Sequence, residues 1–237
     1  MSLEKRVAII TGATGGLGAW ATHTLAGLGV NLALLDRESD RLAALTASLD
    51  LPGSRILTRT IDLLDPAETA SAAAGVTAKF GRADILLHLV GGWTGGKTLL
   101  EVAADEVTFM LNQHVWTSFN VIQAFVPLLV KNGWGRIVMI SSPFASRPVA
   151  KGGPYAIGKS GQEALMLALS QELKGTGVTA NLLQAKTIDA KREKVSAPSA
   201  ENSSWTTPEE LTASILYLLS DEAATVNGAK IPLYGSS

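Results

Sequence analysis

The sequence predicts an α/β protein built on a doubly wound, seven-stranded parallel sheet that is flanked by helices. Two observations predict this class. Short apolar runs alternate with longer amphipathic runs along the whole chain. The composition, 46% hydrophobic with 23 glycines, is typical of buried parallel strands joined by tight turns. At 237 residues the chain has the length of one large domain, and we expect residues 1–237 to form it.

The predicted strands are short runs rich in Val, Ile and Leu that end at glycine or polar residues. Their length and composition favour strands that are covered on both faces. They comprise residues 6–11, 30–36, 55–61, 84–90, 135–142, 178–184 and 229–235.

The predicted helices lie between these strands, so the connections are right-handed crossovers with helices on both faces of the sheet. The last helix has a clear start, because Thr207 is a good N-cap and Pro208 suits the first helical position. A polar, Ser- and Ala-rich segment with weak periodicity, residues 185–205, is interpreted as a mobile substrate flap. The predicted helices comprise residues 16–29, 39–49, 66–81, 108–133, 153–175 and 207–221.

The first strand-to-helix turn, "TGATGGLG", predicts a dinucleotide site of the Rossmann type. Gly12, Gly16 and Gly18 let the backbone turn sharply and approach a diphosphate, whose charge the helix N-terminus favours. Asp36 ends the second strand, where a carboxylate accepts hydrogen bonds from a ribose 2′-hydroxyl and repels a 2′-phosphate. NAD(H) is therefore the preferred cofactor. NADP(H) stays open because Arg37, the next residue, is able to bind such a phosphate.

A second group of residues indicates acid/base chemistry. Tyr155 and Lys159 are four positions apart on a predicted helix and so share one face. An ammonium beside a phenol stabilises the phenolate, which would lower the pKa of Tyr155 from its ordinary value of about 10 toward neutrality. Ser142 ends a strand at the carboxyl edge of the sheet, where its hydroxyl could hold a substrate oxygen.

These motifs together resemble the short-chain dehydrogenase/reductase family over nearly the whole chain. The family pattern T-G-x-x-x-G-x-G appears as Thr11 to Gly18, and the adenine-contacting Asp after the third strand matches Asp62. Residues 207–235 are similar to the family's closing helix and strand. The resemblance implies an NAD(P)(H)-dependent oxidoreductase that moves a hydride between nicotinamide and a carbonyl/alcohol substrate.

The resemblance also implies a role for each residue of the site. Tyr155 would donate or accept the proton, Lys159 would also hold the nicotinamide ribose, and Ser142 would orient the reacting oxygen. Asn112 would kink its helix and anchor a water for proton relay. The expected catalytic residues are Asn112, Ser142, Tyr155 and Lys159. The expected cofactor-binding residues are Gly12, Thr14, Gly15, Gly16, Leu17, Gly18, Asp36, Arg37, Asp62, Leu63, Gly91, Tyr155, Lys159 and Ile188. The expected substrate-binding residues are Trp93, Ser142, Phe144, Tyr155 and Trp205.

Three positions depart from the family pattern. The usual N-N-A-G is replaced by "HLVG", residues 88–91, and the usual P-G by Ala185 and Lys186. The expected Thr near the carboxamide is Ala190. These changes raise a second hypothesis, a catalytically silent dinucleotide-binding protein.

The stretch "GGWTGGKT", residues 91–98, allows two further interpretations. It satisfies the G-x-x-x-x-G-K-[ST] pattern of triphosphate-binding loops, but none of the later strands ends in the Asp that would hold magnesium, so we interpret the match as coincidental. The G-G-W part is similar to a loop of dihydropteridine reductases, in which Trp93 would stack on a pterin. A quinonoid pterin reductase is therefore an alternative function. Because those enzymes generally lack the Ser that stands here at 142, the carbonyl/alcohol substrate leads.

Composition limits the other function classes. A net charge of -1 provides no electrostatic footprint for nucleic acid, and the sequence has no run of about 18 apolar residues that would span a membrane. The chain has no cysteine and no signal-peptide pattern, so we expect a cytoplasmic protein. His23, His88 and His114 lack metal-ligand spacing, so no metal is expected.

Two surface features concern partners. Four cations in the predicted flap, Lys186, Lys191, Arg192 and Lys194, are interpreted as its solvated face, with attraction of an anionic substrate as the alternative. The helices around "NVIQAFVPLLV" and "EALMLALSQEL" are apolar on more than one face, which favours burial between subunits. Since family members use these helices to build dimers and tetramers, we expect a homo-oligomer.

Overall fold

The computed structural model describes residues 3–234 and contains one parallel sheet of seven strands, which confirms the predicted fold class. The strands are ordered β3-β2-β1-β4-β5-β6-β7, and every neighbouring pair is parallel. The bounds are β1 Val7–Thr11, β2 Asn31–Asp36, β3 Ile56–Thr60, β4 Ile85–His88, β5 Gly135–Ser141, β6 Val178–Gln184 and β7 Lys230–Pro232.

Helices cover both faces of the sheet and enclose two apolar cores. Leu25 and Ile215 belong to the core on one face, and Phe125 and Leu169 belong to the core on the other. Among the described residues, no helix combines the length and the apolar character needed to cross a bilayer. The helices are α1 Gly16–Gly27, α2 Ser39–Ala47, α3 Pro66–Phe80, α4 Ala104–Leu111, α5 Thr117–Lys131, α6 Gly153–Glu172, α7 Glu193–Ser196 and α8 Pro208–Leu219.

The strand order creates a crevice at the carboxyl end of β1. β1 lies between β2 and β4, so the connections that leave β1 and β4 run to opposite faces of the sheet. At this edge Thr11 pairs in register with His88, and the Thr11 hydroxyl lies 2.7 Å from His88 Nδ1. Ligands of doubly wound sheets bind at such a point.

The turn after β1 needs glycine for steric reasons. Gly12 has a φ of 69°, in the left-handed region that favours glycine. A Cβ on Gly12 would lie 3.1 Å from the backbone of Leu89 and Val90, and a Cβ on Gly18 would collide with the Gly12 carbonyl oxygen. The turn is therefore compact, and its backbone faces the crevice without side chains.

The region predicted as one helix over residues 108–133 is divided in the structure. α4 begins earlier, at Ala104, and a π-helical turn, Asn112–Trp116, separates it from α5. The π turn packs on α6 at positions without side chains. A Cβ on Gly158 would lie 2.7 Å from the Met110 carbonyl oxygen, and one on Gly161 would lie 2.6 Å from Val115.

The segment 185–205 and the last strand also differ in detail from their predictions. The segment contains the short helix α7, because the buried carboxylate of Asp189 accepts hydrogen bonds of 2.8 Å from the backbone of Glu193 and Lys194. β7 ends at Pro232, and the predicted end of that strand, Gly235, lies outside the described residues.

Candidate active site

Two adjoining clefts follow the carboxyl edge of the sheet. The first lies at the ends of β1, β2 and β3, and the second lies between the glycine turn and α6. The predicted cofactor residues that line the first cleft are Gly12, Thr14, Asp36, Arg37, Asp62 and Leu63. Those that line the second cleft are Gly16, Leu17, Gly18, Tyr155, Lys159 and Ile188. Gly15 and Gly91 line both clefts. The structure thus brings all of them to one edge of the molecule.

Asp36 ties the glycine turn to the end of β2. Its Oδ2 accepts hydrogen bonds of 2.8 Å from both the backbone N–H and the hydroxyl of Thr14, and its Oδ1 accepts one of 2.8 Å from the Arg37 backbone. Arg41 of α2 also lines this cleft, and its guanidinium donates to the Thr14 carbonyl at 2.7 Å. The sequence analysis did not identify Arg41. Its position in the first turn of α2, shortly after Asp36, could have identified it as a residue of the cleft.

The loop after β3 forms the far wall of the first cleft, where Asp62 and Leu63 lie. The Leu63 carbonyl accepts a buried hydrogen bond of 2.9 Å from the side-chain amide of Asn120 on α5. Asn120, which the sequence analysis did not consider, therefore fixes this wall.

Tyr155 and Lys159 lie on the same side of α6, and both line the second cleft. Lys159 is only 3% exposed, and its amine donates to the Ile140 carbonyl at 2.7 Å and to the Gln162 side chain at 3.0 Å. Burial lowers the pKa of Lys159 to about 7, while the nearby charge of Glu163 opposes this shift.

The expected lowering of the Tyr155 pKa is wrong for this structure. Burial raises the pKa of Tyr155, and a hydrogen bond with Ser142 opposes the rise. The reason lies in the direction of the neighbouring amine. Lys159 Nζ lies 6.0 Å from the centre of the Tyr155 ring and directs its hydrogen bonds to Ile140 and Gln162.

Ser142 and Phe144 lie beside Tyr155, but among residues 3–234 they are not part of either cleft lining. Ser142 is fully buried and its hydroxyl accepts a hydrogen bond of 3.3 Å from the Phe144 backbone. The Phe144 ring stands nearly perpendicular to the Tyr155 ring, with 6.4 Å between their centres. The structure thus brings these three predicted residues together.

Asn112 and Trp205 do not join this group. Asn112 opens the π turn and its carbonyl accepts the Thr117 backbone N–H, but among residues 3–234 it is not part of either cleft lining. Trp205 lines a separate hollow together with Lys194, Glu210 and Pro232.

His114, two positions after Asn112, is the side chain that reaches Tyr155. The two rings meet edge to face, with 5.5 Å between their centres. His114 Nε2 lies 3.0 Å from the Gly92 carbonyl, so a neutral ring carries its proton on Nε2 and donates it there. Helical spacing in the sequence could have identified His114 as an inward-facing residue. His114 shares an inward-facing stripe with Met110, Val121 and Phe125.

His88 at the end of β4 is also buried, next to the same lysine. Burial is the main cause that lowers the pKa of His88 and of His114 to about 3, and the charge of Lys159 is the next. Both rings are therefore neutral near pH 7. Two neutral, fully buried imidazoles therefore lie near the Lys159 amine, which itself lines the second cleft.

Comparison with known proteins identifies this architecture. The family model for short chain dehydrogenases matches residues 6–200. The chain belongs to the short-chain dehydrogenase/reductase family. It is an oxidoreductase of the class that interconverts hydroxyl and keto groups.

Two relatives of this dehydrogenase/reductase match it over nearly their full length. The D-beta-hydroxybutyrate dehydrogenase of Rhizobium meliloti is 27% identical, and the match covers 97% of each chain. A 3-oxoacyl-acyl-carrier-protein reductase of Thermotoga maritima is 28% identical, with 99% of this chain and 98% of that protein covered. The crystal structure of levodione reductase superposes with a TM-score of 0.87 at 25% identity, covering 98% of this chain and 97% of that chain.

The loop after β4 in this dehydrogenase/reductase places one aromatic ring on the cleft. Trp93 is 63% exposed and lines the second cleft with Tyr155. Lys97, the lysine of the triphosphate-loop pattern, forms an exposed ion pair of 2.9 Å with Glu106. Its amine is therefore committed to a neighbouring carboxylate.

The flap of this dehydrogenase/reductase packs over the glycine turn. The Ala190 side chain lies so close to Gly16 that a Cβ there would be 2.5 Å away. Of the flap cations, Arg192 pairs with Glu209 at 2.8 Å and Lys194 pairs with Glu210 at 3.0 Å. In contrast, Lys186 lines the second cleft. Within the described chain, no three His, Cys, Asp or Glu residues come together as a metal ion would need.

The buried histidines make the stability of the protein pH-dependent. The pKa of His88 is about 3 in the folded protein and about 6.5 in the unfolded chain, so the unfolded chain binds more protons between these values. Stability is therefore lost as the pH falls from 6.5. We expect His88 alone to reduce the free energy of unfolding by about 2 kcal/mol between pH 7 and pH 5.

Urea unfolding at the two pH values measures this difference. His88→Asn should lose about 2 kcal/mol less stability than wild type between pH 7 and pH 5. His23→Asn is the matched control, because His23 is exposed, and it should lose as much as wild type. A His88→Asn protein that loses stability as steeply as wild type would contradict the burial argument.

Proposed function

We propose that the protein is an NAD(P)(H)-dependent oxidoreductase that moves a hydride between nicotinamide and a carbonyl/alcohol carbon, with Tyr155 as the acid/base. One observation carries this proposal. Tyr155 and Lys159, one helical turn apart on α6, both line the same cleft that begins at the glycine turn. We infer that residues 1–237 act as one dinucleotide-binding catalytic domain and that residues 185–205 serve as its substrate flap.

The glycine turn fits a dinucleotide. Gly18 has no room for a Cβ, Gly12 has a φ of 69° that favours glycine, and the turn leads directly into the N-terminus of α1. Such a bare backbone at a helix N-terminus favours a diphosphate. Asp36 and Asp62 would hold the adenosine part, and Lys159 and Ile188 would lie along the nicotinamide part. When bound, the cofactor supplies or accepts the hydride.

Asp36 supports a preference for NAD(H). Its carboxylate lines the cleft proposed for the adenosine ribose and would repel a 2′-phosphate there. Arg37 and Arg41 line the same cleft and are the residues that would receive such a phosphate. The Arg41 guanidinium also donates to the Thr14 carbonyl and keeps its positive charge, so the proposed preference for NAD(H) depends on the Asp36 carboxylate.

The side chains beside the cleft provide the proton chemistry. Because its pKa is raised, Tyr155 keeps its proton near neutral pH, as donation to a carbonyl oxygen requires. Ser142 lies beside Tyr155 and its hydroxyl accepts from the Phe144 backbone, so it would orient the same oxygen. In its ammonium form Lys159 would bind the ribose and stabilise the phenolate.

The π turn bears on one of the two roles that the resemblance assigned to Asn112, the kinking of its helix. We propose that Asn112 shapes the helix, since the π turn begins at this residue. We propose that His114 supplies the side chain that packs on Tyr155 and limits its ring orientations.

Trp93 supports the alternative of a quinonoid pterin reductase. Its exposed indole lies on the wall of the cleft that holds Tyr155, where a flat ring would stack. The Ser142 hydroxyl beside Tyr155 favours the carbonyl/alcohol substrate.

We further propose a homo-oligomer. Five large apolar side chains on α4, the π turn, α5 and α6 are at least partly exposed to solvent. Exposed apolar side chains grouped in this way favour a protein–protein interface. They are Phe109, Trp116, Phe119, Val130 and Ile157.

The substitution Tyr155→Phe tests the proposed chemistry. NADH oxidation is measured with a panel of ketones, quinones and a quinonoid dihydropterin. We expect wild type to act on at least one of these substrates, and the variant to lose at least about 100-fold in kcat because it has no transferable proton. The affinity for NADH, measured by fluorescence, should stay within about threefold because the cleft keeps its shape.

Two results would contradict the proposal. Equal activity of both proteins would remove Tyr155 from the mechanism. NADH binding without activity of wild type on any substrate would favour the silent dinucleotide-binding protein.

The substitution Asp36→Ser tests the cofactor preference. Without the carboxylate, NADH loses a ribose partner and a 2′-phosphate is no longer repelled, while Arg37 stays in place. We expect the ratio of the Kd for NADPH to the Kd for NADH to fall at least about tenfold, which corresponds to about 1.4 kcal/mol. Asp40→Asn is the control, because it removes an exposed charge on α2 and should leave the ratio unchanged. An unchanged ratio in Asp36→Ser would refute the assignment.

A further inference from the structure

A chain of buried hydrogen bonds holds the Lys159 amine from below. Its partner Gln162 donates from the other end of its amide to the Ser118 hydroxyl at 3.0 Å. Ser118 in turn donates to the His114 carbonyl at 2.6 Å. Together with the Ile140 carbonyl, this chain fixes the position of the amine.

Glu163 follows Lys159 by one helical turn and is only 5% exposed. Its Oε1 accepts hydrogen bonds of 2.7 Å from the Ser141 hydroxyl and 2.8 Å from the Gln184 amide. Its Oε2 accepts one of 3.1 Å from the Lys230 amine on β7. All three partners are donors, which is the environment of a carboxylate anion.

The other groups that face Lys159 carry no negative charge. His88 on β4 and His114 on the π turn are neutral near pH 7, as is Tyr155 on α6. Among the described residues that act on Lys159, Glu163 is the one anion. Lys230 approaches Glu163 from the side of the exposed edge strand, with its side chain 35% exposed.

We propose that Glu163 is a positioning residue for Lys159, and that its buried carboxylate holds the neighbouring amine in the ammonium form. The proposal rests on the proposed function, in which that ammonium binds the ribose and stabilises the phenolate. Burial explains why the ammonium form of Lys159 needs a nearby anion. Burial alone lowers the pKa of Lys159, and Glu163 is the group that opposes this shift. Without Glu163, the amine would lose its proton at a lower pH.

NMR titration of Lys159 tests this inference directly. Protein labelled with 13C at the lysine ε-carbons is titrated, and the Lys159 signal is identified by its disappearance in Lys159→Arg. We expect Glu163→Gln to move the titration midpoint down by about one pH unit or more. Glu163→Asp keeps the charge and should restore most of the difference. Glu172→Gln removes an exposed carboxylate from the end of the same helix and should coincide with wild type.

A second variant should shift the Lys159 titration midpoint in the opposite direction. Lys230 partly neutralises Glu163, so Lys230→Gln should raise the Lys159 midpoint. A purely structural role of Glu163 would not produce opposite shifts. An unchanged midpoint in Glu163→Gln, or an unchanged or lower midpoint in Lys230→Gln, overturns the inference. If circular dichroism shows that Glu163→Gln does not fold, the direction in Lys230→Gln decides alone.

The pH dependence of NADH binding connects the inference to function. Binding should weaken as the pH rises through the Lys159 midpoint, and in Glu163→Gln this loss should occur at a lower pH. If NADH binding by wild type and by Glu163→Gln showed the same pH dependence, this result would count against the role of Glu163. If wild type bound no NADH at any pH, the proposed function would fail, whereas the NMR midpoints would still judge the link between Glu163 and Lys159.

Discussion

The carboxyl end of β1 is the point on which the rest of the structure depends. There Gly12 has a φ of 69°, and a Cβ on it would lie only 3.1 Å from the backbone of Leu89 and Val90. Thr11 and His88 join β1 to β4 one position earlier. Both proposed cofactor clefts share the loop that begins at this contact. A side chain at Gly12 would be strained at this φ and would press on that shared loop.

Below that crevice the interior is unusually polar. An amine, two imidazoles, a carboxylate and several amides lie behind Tyr155, where burial costs free energy unless each group is paired. The structure meets most of this cost, although His88 Nε2 and His114 Nδ1 have no hydrogen-bond partner among the described residues. The histidines stay neutral, and the charges of Lys159 and Glu163 lie one helical turn apart with hydrogen bonds to surrounding groups. The balance leaves the pKa of Lys159 near 7, where a neighbouring charge has a large effect on its protonation.

Local patterns were sufficient for the fold and for most of the clefts. The strands, the glycine turn and Asp36 depend on periodicity, steric need and chain position, all of which a sequence contains. Arg41 and Asn120 were missed because they reach the cleft through tertiary contacts with Thr14 and Leu63. Such contacts depend on how helices pack on the sheet, which composition and spacing do not determine.

Tertiary contacts also explain what sequence motifs did not reveal about three further parts of the site. The resemblance pointed to Asn112, where the π turn begins, but gave no indication of His114, which meets Tyr155 from the same turn. Trp205 lines a separate hollow because the flap folds back on α8 through its ion pairs. The four-residue spacing of Tyr155 and Lys159 correctly placed them on one face. It did not show that burial governs both pKa values, because burial is a property of the folded chain.

A crystal structure of the protein with NAD+ bound tests the central claim most directly, because that claim is one dinucleotide extended from Asp36 to Tyr155. The account predicts the adenosine ribose within hydrogen-bond distance of the Asp36 carboxylate, the diphosphate on the glycine turn and the nicotinamide beside Tyr155. A nucleotide bound in the opposite direction, or bound outside the two clefts, would contradict it.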